Sequence, residues 1–73
     1  MGTALPIEVR EELDRMPAVT SPTAYAWSHG MARSGLSVCT DMLEGRHGSA
    51  REKAVLLAAA SIRLVEYLNQ DWP

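Results

Sequence analysis

Phenylalanine is absent from these 73 residues, and Trp27, Trp72, Tyr25 and Tyr67 are the only aromatic side chains. A core must therefore come from aliphatic side chains, methionine and alanine. Cysteine occurs once, at Cys39. This excludes a disulfide framework, and with only two histidines beside it a structural zinc site is excluded too. Long apolar runs are also missing: the longest, residues 54–60, falls far short of the ~20 residues a membrane span needs. A surplus of positive charge is lacking as well, seven Lys and Arg standing against nine Asp and Glu for a net charge of −2. That balance argues against a nucleic-acid binder, whose domains are usually basic.

The N-terminus has neither a basic segment nor an apolar stretch of the secretory kind, and Pro6 occupies the position where myristoylation at Gly2 would want Ser or Thr. A lone thiol suits a reducing compartment. The expected location is cytoplasmic.

What is present is helical patterning cut by Pro and Gly. No stretch alternates with period two, and no segment repeats. Residues 7–16, between Pro6 and Pro17, form a short helix, with Glu11 and Arg15 paired four apart and a thin apolar stripe of Ile7, Leu13 and Met16. Ser21-Pro22 opens a second helix over 22–44, with Ser21 as N-cap and Gly45 as its stop. Gly30 is the place where that helix could break. Ser49-Ala50-Arg51-Glu52 has the form of a capping box and starts a third helix over 50–69. The connection over 45–49 is short, so the two long helices should lie antiparallel. The expected fold is a single all-α domain over 1–73, a short helix followed by a long antiparallel hairpin.

The hairpin carries more apolar surface than it can hide. At 100° per residue, Tyr25, Ala32, Leu36, Cys39 and Leu43 form one stripe, with Trp27, Met31, Val38 and Met42 beside it. The third helix is apolar nearly all round. Ala54, Leu57, Ser61, Leu64, Val65, Leu68 and Trp72 share a face, Leu56, Ala60 and Tyr67 extend it, and Val55, Ala59 and Ile62 lie beyond. Only Glu52, Arg63, Glu66 and Gln70 leave a wet strip. Chains below ~70–80 residues seldom gain more than ~3–5 kcal/mol from one core without disulfides, metal or association. Association is the remaining route, and two hairpins completing a four-helix bundle as a homodimer is its simplest form.

Candidate chemistry is sparse. His29 and His47 could act as bases, but no nucleophile accompanies either at a telling spacing, and Cys39 sits on an apolar stripe where a thiol is normally inert. No enzyme and no cofactor are expected. Trp, Tyr and Met are enriched at interface cores, so Trp27, Met31, Met42, Leu56, Tyr67 and Trp72 are the candidate partner-binding residues. The bland alternative for each is core filling. Arg46, His47, Arg51 and Lys53 cluster at the hairpin tip, beside a helix N-terminus that already favours anions. They could hold a phosphate, or simply pair with the acidic first helix, which carries Glu8, Glu11, Glu12 and Asp14.

The function expected from these features is a small regulatory protein, of the anti-activator or phage-inhibitor kind known from bacteria. It would bind itself and a larger protein, inhibiting or redirecting the latter. The alternatives are an oligomeric binder of an anionic small molecule such as a signalling nucleotide, and a structural self-assembling adaptor.

Overall fold

The computed structural model describes residues 5–70, and these are all-helical with no strand. Helix α1 spans Ile7–Arg15, α2 spans Ser21–Leu43 and α3 spans His47–Leu68.

Each boundary has a local cause. The Pro6 carbonyl accepts from the Val9 and Arg10 amides at 3.0 and 3.1 Å, opening α1. Met16 then turns extended at ψ 135°, the conformation a following proline imposes, and the helix stops. The N-cap of α2 is Thr20 rather than Ser21. Thr20 and Thr23 form a reciprocal capping box, the Thr20 amide donating to the Thr23 hydroxyl at 3.0 Å. Ser21 moves into the first turn, where its hydroxyl lies 3.1 Å from that of Tyr67.

Helix α2 passes through Gly30 without a break. It ends in a Schellman turn: the Arg46 amide reaches back to the Asp41 carbonyl at 2.7 Å and the Gly45 amide to Met42 at 3.2 Å. Gly45 takes φ +77°, a left-handed conformation that glycine adopts without penalty.

Helix α3 begins at His47, two residues before the expected cap. The Ser49 hydroxyl does not close a capping box with Glu52. It donates instead to Asp41 Oδ2 at 2.8 Å, because the hairpin brings a buried carboxylate within reach.

The cross-helix bonds run Ser21 to Tyr67, Trp27 to Ala60 and Ser37 to Lys53, closing in toward the turn, so α2 and α3 are antiparallel. Helix α1 packs on α3 but not on α2. Residues 49, 53, 57 and 60 of α3 look toward α2, and Val55, Ala58, Ala59 and Ile62, nearly opposite at 100° per residue, look toward α1. The three helices thus lie in a row with α3 in the middle, 45 × 30 × 22 Å overall.

The tightest packing is at the α1–α3 contact. Val9 and Leu13 are buried there against a fully enclosed Ala59, with Met16, Val55, Ala58 and Ile62 around them. This corrects the apolar stripe expected for α1, since Val9 faces inward and Ile7 is exposed. It also removes Arg63 from the wet strip. The Arg63 guanidinium lies half-buried across the end of α1, donating to the Leu13 carbonyl and to Glu66 Oε1, both at 2.8 Å. A cation at a helix C-terminus opposes the negative end of its dipole. Arg51 pairs with Glu8 near the other end of α1. Val19 is buried in the connector between α1 and α2.

Candidate functional site

Asp41 is the one charged residue buried among the described residues, at 2% exposure. Helix α2 delivers it to the hairpin end, and α3 with the turn before it supplies the donors. Arg46 donates to Oδ1 through Nε at 3.1 Å and a terminal nitrogen at 2.9 Å. Ser49 and Lys53 donate to Oδ2 at 2.8 and 2.7 Å. Lys53 also reaches the Ser37 hydroxyl at 2.7 Å. These bonds, Lys53 first and Ser49 next, hold the Asp41 carboxyl down at about 2, against the desolvation that would raise it. The same contact pushes the Arg46 pKa upward, with Glu44 adding to it.

The four basic-tip residues are therefore divided. Arg46 and Lys53 are ion-paired to Asp41. Arg51 pairs with Glu8, which lowers the pKa of that carboxyl. His47 opens α3 beside a shallow apolar cavity of about 310 Å³ lined by Val38, Met42, Ala50 and Ala54. Pairing with the acidic first helix, the bland alternative for the tip, holds for Arg51.

The partner-binding candidates are divided as well. Trp27, Met31 and Leu56 come together in one groove of about 260 Å³ between α2 and α3, closed at the α1 end by Met16. Gly30 and Ala60 line its floor, and the Trp27 indole donates to the Ala60 carbonyl at 3.0 Å. Fixing its polar edge leaves the apolar body of the indole as groove wall. Drug-sized ligands usually sit in pockets of ~300–1,000 Å³, so this groove matches one or two side chains better than a cofactor. Met42 lies in the other cavity and Tyr67 at the far end of the hairpin, beside Ser21. Trp72 falls outside the described residues.

Two features escape a reading of the sequence. Asp41 looks like one polar residue among several, because its donors lie five, eight and twelve positions ahead and converge only once the turn is formed. The other is which stripe of α2 faces inward. Trp27, Met31 and Val38 are half-buried, while Tyr25, Ala32, Leu36, Cys39 and Leu43 are exposed.

Among the described residues no group of three His, Cys, Asp or Glu could hold a metal ion, and no helix is long and apolar enough to cross a membrane. No family model, curated protein or solved structure matches this chain.

Proposed function

We propose that this chain is a small non-enzymatic regulator that self-associates as a homodimer and binds a larger protein, inhibiting or redirecting it. The observation that carries the reading is the groove where Trp27, Met31 and Leu56 converge. It is apolar, open and of a size to take a protruding side chain of a partner, as interface hot spots do. The indole-to-carbonyl bond keeps its wall in place before any partner arrives, and a pre-organised wall lowers the entropy lost on binding.

The anion-binding alternative draws less support. A phosphate at the hairpin tip would have to compete with Asp41 for Arg46 and Lys53, and with Glu8 for Arg51.

Leu56 is the position to test, because it lines the groove yet is exposed enough to change without opening a core. Gentle purification of the tagged wild type followed by native mass spectrometry should give a mass that includes a second polypeptide. Leu56→Asp should lose that polypeptide while keeping its helical circular dichroism. A variant that keeps the partner at wild-type stoichiometry would exclude the groove as its docking site.

A further inference from the structure

The outer edge of α2 carries a second stripe that the chain leaves uncovered. Tyr25, His29, Ala32, Leu36, Cys39 and Leu43 recur at spacings of four, three, four, three and four, the a/d repeat of a coiled-coil seam. All six are exposed, Tyr25 at 83%, Leu36 at 72% and Leu43 at 84%. The rings of Tyr25 and His29 stack along the stripe at 6.4 Å. At 100° per residue its centre lies roughly 140° from the stripe of Ala24, Trp27, Met31, Ser34 and Val38 that faces α3. Helix α2 therefore bears two seams back to back, of which the fold uses one.

We propose that the free seam is the homodimer interface and takes the same seam of a second copy, running antiparallel about a twofold axis at the level of Ser34. This rests on the self-association reading above and gives it a surface and a register. Three observations select a second copy in this orientation.

The spacing is palindromic, so reversing the helix superimposes the stripe on itself. Tyr25 then meets Leu43 of the copy, His29 meets Cys39, and Ala32 meets Leu36. Each a position faces a d position, and the small Ala32 is filled by a leucine. A parallel pairing would set Ala32 against Ala32 and leave a void.

The area is sufficient. The exposed parts of these six side chains amount to roughly 600 Å² per chain, and the pair reaches the ~1,200 Å² at which specific interfaces begin.

The third observation is Gly35, where an added Cβ would meet nothing within 4 Å in its own chain. It lies on the flank of the seam near the proposed axis, where it adds no side chain to hold the two copies apart. Arg33 also faces its copy, on the solvent-exposed rim where salt screens the repulsion.

Because α3 already covers the opposite side of α2, this pairing sets the helices in a row of six, rather than closing the four-helix bundle that two hairpins would suggest.

Sedimentation equilibrium and disulfide trapping test the proposal together. Wild type should be a dimer at tens of micromolar, and Leu36→Asp should weaken it on the order of 100-fold with helical content unchanged. Mild oxidation should crosslink His29→Cys through Cys39 of the copy and leave wild type uncrosslinked. A wild-type monomer overturns the dimer and the seam together, and leaves the stripe to a different protein. A dimer indifferent to Leu36→Asp keeps self-association but refutes this surface. Ready crosslinking of wild type through Cys39 alone refutes the antiparallel register.

Discussion

At the scale of single residues, Asp41 has the largest consequence for stability. One carboxylate accepts from Arg46, Ser49 and Lys53, and so ties the end of α2 to the turn and to the first two turns of α3. Its charge also lies near the α3 N-terminus, where the dipole favours an anion. The folded state holds it at about 2, against an ordinary 3.8. Above pH ~5 the carboxylate is ionised whether folded or unfolded, and the stabilisation is fully present. It is lost as the pH falls from there through about 2. Glu8, lowered by Arg51, acts in the same direction. Asp41→Asn should therefore lower the thermal midpoint at pH 7 by on the order of 10 °C. It should also flatten the loss of stability between pH 4 and pH 2, which thermal melts across that range would measure. Equal acid sensitivity in the two proteins would mean that other carboxylates carry it.

At the scale of elements, the helices were legible because Pro and Gly punctuate them. Pro6, Pro17 and Gly45 bound segments of which α1 starts where expected, at Ile7, and the other helix ends shift by one to three residues. The caps were less legible. Ser21 and Ser49 both look like N-caps, but each hydroxyl has a tertiary partner, Tyr67 or Asp41, that no local pattern announces. The inward side of α2 was hidden for a different reason. Two stripes of nearly equal apolarity have centres roughly 140° apart around the helix, and only the register with α3 chooses between them. Helix α1 shows only a thin apolar stripe in the sequence, yet it buries Val9 and Leu13 against Ala59.

Leu13→Ala should cost about 2–4 kcal/mol, as truncation of an enclosed leucine does, and should shift the denaturant midpoint accordingly. A loss below ~1 kcal/mol would show that α1 adds little to the fold. Gly30→Ala should act in the opposite sense. Nothing lies within 4 Å of the added methyl, and the backbone is helical, so the substitution should stabilise by about 1 kcal/mol and raise the midpoint by ~4–8 °C.

At the scale of the whole molecule, one row of three helices has an unusual balance of surface. The Cα radius of gyration is 13.5 Å, whereas a compact chain of this length would have about 11 Å. Among the described residues only Val9, Leu13, Val19, Ala50 and Ala59 are buried apolar residues, while Tyr25, Leu36, Met42, Leu43, Val65 and Leu68 are more than half exposed. A chain that buries so little alone gains stability by mass action when its copies associate. Its midpoint should rise with protein concentration in the wild type and stay constant in Leu36→Asp, which has no seam to close. The shape of the dimer follows from which edge is shared. Joining two rows along α2 separates their centres by nearly the 30 Å width of one row, giving a radius of gyration of about 20 Å, whereas stacking the rows face to face would give about 17 Å. Small-angle scattering at concentrations where the dimer is complete separates these values. The longer particle supports edge-to-edge pairing, and the shorter one would place the shared surface on the faces that Leu56 and Met42 line.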